Sequence, residues 1–281
     1  MTTTPFTKMH GLGNDFVVMD SRVQPVNLTS IQVQALSNRN TGIGCDQIVI
    51  IEHPGKRKKL NPADVFIRIF NADGSEINAC GNATRCVAAL LSIEKQIKKI
   101  VIETKAGILE SKILDNGMIA VDMGKPVFQW QNIPLSESQN TRALDVTFGE
   151  LSSPAAISIG NPHCVFFAEN LNKITLEEIG PAIENHKLFP QRTNVGVAQI
   201  KDTDLIRLRV WERGVGITLA CGTGACAAAV AANRANLVGR EVIVELDGGR
   251  LGINWRLDDH VIMTGPTATS FSGAVDLRLL A

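Results

Sequence analysis

An internal repeat constrains the fold of this chain more than any other feature of its sequence. Cys80 in the first half aligns with Cys221 in the second half, at an offset of 141 residues. The aligned blocks are IRIFNADGSEINACGNATRCVAA at 67–89 and LRVWERGVGITLACGTGACAAA at 208–229. Similarity reaches back to the starts of both halves, where Gly13-Asn14 resembles Gly160-Asn161. Because the offset is far longer than a solenoid repeat, it predicts two like-folded domains related by a pseudo-twofold axis and meeting at a cleft.

Short β-branched runs outnumber helical patterns in both halves. In the first half these runs are bounded by Gly, Asn, Asp or Pro, as strands usually are, and they read QIVIIE, VFIRIF, KIVIET and MIAVDM. Helices are predicted at four places: after Thr29-Ser30, after Asn82 through Leu91, at 176–183 and at 223–237. Many strands with few helices and no regular alternation of the two indicate an α+β fold.

Composition excludes several classes of partner. Lys and Arg together number 28, as do Asp and Glu, so the neutral chain has no net attraction for nucleic acid or an anionic membrane. The one basic run, KRKK at 56–59, lies between Pro54-Gly55 and Pro62 and is predicted to be a solvated hairpin tip. The N-terminus lacks a secretory pattern, and no stretch approaches the ~20 apolar residues of a membrane span. We therefore expect a cytoplasmic protein whose six cysteines remain thiols.

Cys80 and Cys221 occupy the same place in the two copies, after a Gly-containing turn and before an Ala-rich segment. This pattern predicts each cysteine at a helix N-terminus, where the positive end of the dipole stabilises a thiolate and lowers the thiol pKa below ~8.5. Two such thiols suit inversion at a carbon, because one removes a proton from one face while the other donates to the opposite face. The backbone N–H groups of Gly81-Asn82 and Gly222-Thr223 are predicted to cradle the substrate α-carboxylate.

The other four cysteines, Cys45, Cys86, Cys164 and Cys226, are interpreted as core residues, because free cysteine is among the most buried residue types. Cys86 and Cys226 lie five or six positions after the paired cysteines, so they face the opposite side of an ideal helix. That geometry argues against a zinc site built from four cysteines, and no CxxC pair occurs. Neither half displays the Schiff-base lysine and phosphate cup of a pyridoxal phosphate enzyme. We therefore expect no cofactor and no metal.

Six motifs together resemble the diaminopimelate epimerase family over nearly the whole chain. They are KMHGLGNDF (8–16), GIGCDQ (42–47), FNADGSEINACGNATRC (70–86), GNPHC (160–164), RTNVG (192–196) and ERGVGITLACGTGAC (212–226). The resemblance implies two similar α+β domains, each a mostly antiparallel sheet wrapped round a central helix, with the active site in the interdomain cleft. It implies a first domain at 1–127, to which a C-terminal strand at 271–281 returns, and a second at 128–270.

The resemblance also implies a homodimer and a small-molecule substrate, diaminopimelate, whose LL and meso forms are interconverted without a cofactor. This reaction is a step toward lysine and peptidoglycan. The acid–base pair is then Cys80 and Cys221. Further residues are assigned to the substrate, with His163 lining the site: Asn14, Gln47, Asn71, Gly81, Asn82, Asn161, Asn194, Glu212, Arg213, Gly222 and Thr223.

The chemistry of this set is sensible, although each member also has a structural interpretation. Arg213 can fork onto a distal carboxylate, and Glu212 can receive an ammonium group. Asparagine, however, commonly caps Gly-rich turns, and Glu212 with Arg213 would also make an ordinary solvated pair. His163 would equally bond a turn backbone. Only the whole constellation favours the functional interpretation.

The chain departs from the family's pattern at three places, and two other functions stay open. Cys45 stands where Phe is frequent, Ala83-Thr84 where Gly-Ala is common, and Ile217 where Glu is frequent. One alternative is a proline-racemase-like enzyme, which also uses two cysteines in a duplicated fold. The other is a non-catalytic amino-acid-binding or thiol-redox protein. The asparagines with Glu212 and Arg213 suit a second amino-acid end and so favour diaminopimelate over proline.

Overall fold

The computed structural model describes residues 3–55 and 62–279 of the chain. These residues form two compact units. Unit 1 comprises the described residues of Met1–Val121 and Gly265–Ala281, and unit 2 comprises Asp122–Thr264. The hairpin tip predicted at 56–59 lies outside the described residues. The domain boundaries expected from the family, after residues 127 and 270, stay predictions.

Strands outnumber helices in both units, as the sequence predicts. The first part of the chain forms β1 (Thr4–Gly11), β2 (Asn14–Asp20), α1 (Ser30–Ser37), β3 (Gln47–Glu52), β4 (Val65–Asn71), β5 (Glu76–Ile77), α2 (Gly81–Lys95), β6 (Lys99–Thr104), β7 (Gly107–Ile113) and β8 (Ile119–Asp122). The next part forms β9 (Thr147–Phe148), β10 (Leu151–Ser152), β11 (Ala155–Ser158), β12 (Pro162–Phe167), α3 (Leu176–Glu184), β13 (Asn194–Asp202), β14 (Leu205–Glu212), β15 (Gly216–Thr218), α4 (Gly222–Arg234), β16 (Glu241–Leu246), β17 (Gly249–Trp255) and β18 (Val261–Gly265). The last strand, β19 (Ala268–Val275), returns to unit 1.

The local signals explain where the helices begin and end. The side chain of Thr29 accepts from the N–H of Gln32, whose side chain in turn accepts from the Thr29 N–H, and this capping box starts α1. Gln96 stops α2 in the left-handed conformation, with φ 55°. Helix α4 ends at Arg234, earlier than the predicted 237, and Asn236 is left-handed two residues later. All four predicted helices are present, so that prediction is confirmed.

The sheet of unit 1 follows the order β19–β1–β2–β3–β4–β6–β7–β8, with β5 beside β4. The β2–β3 and β4–β6 pairs are parallel, and the others are antiparallel. In this register Gln47, the first residue of β3, lies opposite Asn71, the last residue of β4. Two predicted site residues therefore meet at one end of neighbouring strands.

Unit 2 repeats this pairing strand for strand. Its order is β11–β12–β13–β14–β16–β17–β18, with β15 beside β14, and β12–β13 and β14–β16 are the parallel pairs. The exception is β19. Where β19 lies beside β1 in unit 1, the described residues of unit 2 have an isolated bridge between Val127 and Ser158 at the outer side of β11. A small extra sheet pairs β9 with β10.

One buried helix packs against the sheet in each unit. Helix α2 contacts β1, β2, β6 and β7, and α4 contacts β11 to β14, β16 and β17. In α4 the buried positions are mostly alanine and glycine, which a helix covered on nearly every side requires. The prediction of an α+β fold with two similar domains is confirmed. Of the helices within the described residues, none has both the length and the apolar composition to cross a bilayer.

Candidate active site

Cys80 and Cys221 are the N-cap residues of the two buried helices, α2 and α4. Both have extended backbones, with φ −146° and ψ 115° at Cys80 and φ −120° and ψ 112° at Cys221. Their position in the fold confirms the prediction made from the repeat. The N–H groups of the first helical turn have no acceptor within a helix, so each sulfur lies at a site that favours negative charge.

The expected low pKa is wrong for Cys221. This residue is only 4% exposed, and burial raises its pKa well above the usual range. The neighbouring Glu212 carboxylate raises the pKa further. A hydroxyl contact with Thr223 at 3.6 Å and the N–H of Gly224 act in the opposite direction but do not reverse the shift. The helix terminus alone therefore does not decide the charge of this thiol, and the protonated form is favoured here.

In unit 1 the predicted polar residues form two hydrogen-bonded pairs. Asn82 Nδ2 donates to Asn14 Oδ1 at 3.1 Å, and Asn14 Nδ2 donates to Asp46 at 3.0 Å. Gln47 Nε2 donates to Asn71 Oδ1 at 2.9 Å. Asn14 begins β2 and Asn82 lies in the first turn of α2, so the first pair links a strand start to the helix that Cys80 caps.

In unit 2 a chain of contacts leads from His163 to Cys221. His163 Nε2 lies 2.9 Å from Asn161 Oδ1, and since an amide oxygen only accepts, the ring donates from Nε2. Asn161 Nδ2 donates to Thr223 Oγ1 at 3.3 Å. Burial lowers the pKa of His163 to about 3, so the ring is neutral at physiological pH. The Asn161–Thr223 bond is the counterpart of Asn14–Asn82 in unit 1.

Asn194 makes two side-chain hydrogen bonds within unit 2. It is 4% exposed, and its Nδ2 donates to the carbonyl of Pro162 at 2.8 Å. Its Oδ1 accepts from the backbone N–H of Arg213 at 3.0 Å. One of the two Nδ2 hydrogens and one of the two Oδ1 lone pairs are thus used within unit 2, and the assignment of Asn194 to the substrate stays a prediction.

Glu212 and Arg213 lie at the end of β14 and in the turn that follows it. Thr218 Oγ1 donates to Glu212 at 2.6 Å, and the Arg213 guanidinium donates to the carbonyl of Gln191 at 3.1 Å. Arg213 is half-buried, and burial lowers its pKa. Each side chain therefore bonds to at least one other residue, and the choice between a substrate-binding set and an ordinary solvated pair stays a prediction.

The four cysteines interpreted as core residues are buried, which confirms that interpretation: Cys45, Cys86, Cys164 and Cys226. Burial raises the pKa of Cys86 to about 12 and raises that of Cys164 as well. At the departures from the family pattern, Ala83 is fully buried and the Thr84 hydroxyl donates to the carbonyl of Cys80 at 2.9 Å. Ile217 is partly buried in β15.

Sequence reasoning missed three polar residues that support this site: Asp46, Glu184 and Thr218. Their partners are Asn14, the turn after β14, and Glu212. A strand alignment of the two halves would have placed Thr218 near Glu212, because β14 and β15 pair. Glu184 gave no local signal. Within the described residues no group of three or more His, Cys, Asp or Glu side chains has the arrangement of a metal site.

Known proteins resemble this chain at the level of sequence and of fold. The family model of diaminopimelate epimerase matches residues 6–129 and 155–269. A diaminopimelate epimerase from Acidiphilium cryptum is 50% identical over 277 residues, covering 99% of this chain and 98% of the relative. Among solved structures, a PhzF-family phenazine biosynthesis protein from Bacillus anthracis has a TM-score of 0.70 at 18% identity, covering 98% of this chain and all of that one. A hydroxyproline epimerase from Agrobacterium vitis has a TM-score of 0.69 at 13% identity, covering 97% and 92%.

The two solved structures are too distant in sequence to establish more than a shared fold. The sequence matches are of another kind, because the family model covers most of the chain and the A. cryptum relative matches it nearly from end to end. The resemblance inferred from the six motifs is therefore confirmed. The chain belongs to the diaminopimelate epimerase family.

Proposed function

We propose that Cys80 and Cys221 carry out the two proton transfers by which this chain interconverts LL- and meso-diaminopimelate, without a cofactor. The observation that carries the proposal is the equivalent position of the two cysteines, each an N-cap of the buried helix in its own unit. Family membership supplies the substrate and the reaction, epimerisation in lysine biosynthesis. The product also serves peptidoglycan synthesis in this proposal.

The reaction needs one acid and one base at a single carbon. A thiolate takes the α-proton and becomes a thiol, which leaves the electron pair on the α-carbon. The second thiol then donates its proton to the opposite face and becomes a thiolate, so protons and charge balance. The reverse reaction exchanges the two roles, and two chemically matched groups serve both directions equally.

We assign the thiol of the resting enzyme to Cys221. Burial and the Glu212 carboxylate both favour its protonated form. Cys80 then begins as the base in the direction that Cys221 completes as the acid. Because the Glu212 carboxylate lies close enough to act on Cys221, it also suits an ammonium group near the reacting carbon. An ammonium there would offset the negative charge and make the Cys221 thiolate easier to form.

The carbanion must be stabilised through the α-carboxylate. We propose that the N–H groups of Gly81 and Asn82 in α2, and of Gly222 and Thr223 in α4, hold it. These residues form the first turns behind the two N-cap cysteines. First-turn N–H groups combine free donors with the positive end of the helix dipole, which is the arrangement that stabilises developing negative charge.

The distal end of the substrate is assigned to Arg213, with Asn14, Asn71 and Asn161 bonding its charged groups. Burial destabilises the charged form of the Arg213 guanidinium. A bound carboxylate would compensate that cost through a bidentate pair. Gln47 and His163 hold Asn71 and Asn161 in place through their hydrogen bonds. Asn194 is assigned to the substrate as well, and its Oδ1 also accepts a hydrogen bond from the backbone N–H of Arg213.

Isotope exchange tests this assignment. The protein is incubated in heavy water with LL-diaminopimelate or with proline, and deuterium at the α-carbon is followed by mass spectrometry. We expect deuterium to enter diaminopimelate together with the meso isomer, and proline to stay unlabelled. Label entering proline alone would refute the assignment in favour of a proline-racemase-like enzyme. Tight binding of diaminopimelate with no exchange would favour the non-catalytic alternative.

We further propose that the protein is a cytoplasmic homodimer. The six cysteines, all within the described residues, are thiols and not disulfides, which is consistent with a reducing compartment. Strand β19 supports the dimer, because every side chain except that of Val275 is exposed on both faces. An exposed edge strand that carries apolar side chains is a template on which another chain can pair. Phe271, which contacts Phe6 with ring centroids 6.0 Å apart, is half-exposed on this strand.

Sedimentation velocity tests the dimer. Phe271→Asp is expected to shift the protein toward the monomer, because it places a charge in the proposed interface. The control is Leu257→Asp, a change at a residue 91% exposed in unit 2, which should leave the distribution unchanged. A monomeric wild-type protein would contradict the proposal directly.

A further inference from the structure

We propose that Glu184 is a positioning residue that holds the turn after β14 and thereby aims Arg213 at the distal carboxylate of the substrate. This inference rests on the proposed function, since it assigns Glu184 a role in binding the same substrate. Glu184 touches neither cysteine in the contacts described. Its carboxylate instead holds the turn whose first residue is Arg213.

The contacts of Glu184 converge on this turn. One oxygen accepts from the backbone N–H of Gly214 at 2.8 Å and lies 3.2 Å from Arg192. The other accepts from the indole N–H of Trp211 at 2.7 Å. Trp211 immediately precedes Glu212, so the carboxylate holds the chain on both sides of the Glu212-Arg213 pair. Charge-assisted bonds of this length are about twice as strong as neutral ones.

Asn194 and Glu184 each accept a hydrogen bond from one backbone N–H group of the turn. The Asn194 amide accepts from the N–H of Arg213, and the Glu184 carboxylate accepts from the next N–H, that of Gly214. The turn is closed by a bond from the N–H of Val215 to the carbonyl of Glu212 at 3.0 Å. Both ends of the Arg213 backbone are therefore fixed by side chains from outside β14 and β15.

The position of the Glu184 carboxylate costs free energy unless its bonds to this turn compensate. It is the last residue of α3, where the negative end of the helix dipole disfavours a carboxylate. It is also 5% exposed, and burying a carboxylate is expensive without compensating bonds. Gly180, one helical turn earlier, lets the Trp211 ring pack on α3, because a Cβ there would lie 2.6 Å from the ring. The indole is thus placed for its bond to Glu184.

Steady-state kinetics of Glu184→Gln test the role. The amide keeps the shape of the side chain but loses one acceptor, so either Gly214 or Trp211 loses its bond. We expect KM for LL-diaminopimelate to rise about tenfold with kcat within about threefold of wild type, because distal binding is uniform between ground and transition states. The matched control is Glu177→Gln, the same change at an exposed carboxylate of α3 that pairs with Arg209, and it should leave KM unchanged.

A double-mutant cycle with Arg213→Met shows whether Glu184 acts by positioning Arg213 or only by stabilising unit 2 in general. If Glu184 acts through Arg213, adding Glu184→Gln to Arg213→Met should raise KM no further. Equal and multiplicative effects in both backgrounds would overturn the proposal, as would an unchanged KM in Glu184→Gln. Should Glu184→Gln fail to fold, the same cycle is run with Trp211→Phe, with the same criteria and a smaller expected rise in KM. A wild-type protein with no turnover of LL-diaminopimelate would overturn the proposed function, and this inference with it.

Discussion

Units 1 and 2 share one scaffold but differ at the end of its fourth strand. Strand β4 ends in Asn71, whereas the equivalent strand of unit 2, β14, ends in Glu212. Glu212 raises the pKa of Cys221, and a neutral amide at the equivalent position of unit 1 has no charge with which to do so. The third helical residue behind the cysteine also differs, being Ala83 in α2 and Gly224 in α4. Duplication thus kept the backbone that places the two thiols, while single side chains made their environments unequal.

The largest effect is expected from removing either thiol. Cys80→Ala and Cys221→Ala should each lower the epimerisation rate by about 10²–10⁴-fold, because each cysteine is the only proposed acid–base group on its face of the carbon. Initial rates with LL-diaminopimelate measure the loss, and calorimetry checks that the substrate still binds. Full activity in either variant would break the proposed equivalence of the two units.

Removing the Glu212 charge should reduce the electrostatic difference between the two units. In Glu212→Gln the pKa of Cys221 should fall, because a negative neighbour no longer opposes the thiolate. Alkylation of Cys221 by iodoacetamide at pH 8, resolved by peptide mass spectrometry, is expected to accelerate roughly tenfold. Glu177→Gln is the control, since that carboxylate lies on α3 and pairs with Arg209 of β14. Equal acceleration in both variants would show that the effect is a general one of net charge.

Stability at alkaline pH should reveal Cys86, one of the two buried thiols of unit 1 identified as core residues. The pKa of Cys86 is raised to about 12, so the native state keeps a proton that the unfolded chain releases above pH ~9. The stabilisation is complete below pH 9 and is lost as the pH rises toward 12, by about 1 kcal/mol per pH unit. Urea unfolding from pH 8 to 10.5 measures this slope, and the absence of tyrosine simplifies the titration.

The variant Cys86→Ala should reduce the slope of unfolding free energy against pH by the contribution of one titrating thiol. Val87→Ala, at the next and equally buried position of α2, is the matched control. It should lower stability to the same extent at every pH, since it removes apolar volume but no ionisable group. A slope that is identical in all three proteins would contradict the assignment to Cys86.

The smallest effect is expected at Thr223, whose hydroxyl opposes Glu212 at the same sulfur. Its contact with Cys221 lowers the thiol pKa. Thr223→Val keeps the shape of the side chain but removes that contact, so alkylation of Cys221 should slow by about threefold, as expected for one weak neutral hydrogen bond. Acceleration would mean that the hydroxyl shields the thiol sterically and does not stabilise its charge.

Much of the fold could be predicted because the two halves of the sequence repeat the same pattern. The offset between Cys80 and Cys221 predicted two similar units and the N-cap position of both cysteines. The runs QIVIIE and KIVIET coincide with β3 and β6 residue for residue. In these segments local propensity and tertiary packing favour the same structure, so a local pattern is sufficient.

What the sequence did not reveal depends on neighbours that are distant along the chain. Glu184 and Gly214 are 30 residues apart, and no periodicity links them. The raised pKa of Cys221 arises from burial and from Glu212 on another strand, whereas helix position alone predicted a lowered value. Asn194 was assigned to the substrate by its motif, and only the register of β12 beside β13 places its amide against the Pro162 carbonyl.

The pairing of β1 with β19 has a consequence for synthesis on the ribosome. Thr4 lies opposite Val275, so this edge of β1 is covered only after β19, which follows the whole of unit 2 along the chain, has been made. Unit 2 is contiguous in sequence and has all its strands available earlier. Translation therefore favours folding of unit 2 while β1 is still uncovered, and a nascent chain stalled before residue 268 would present β1 to chaperones.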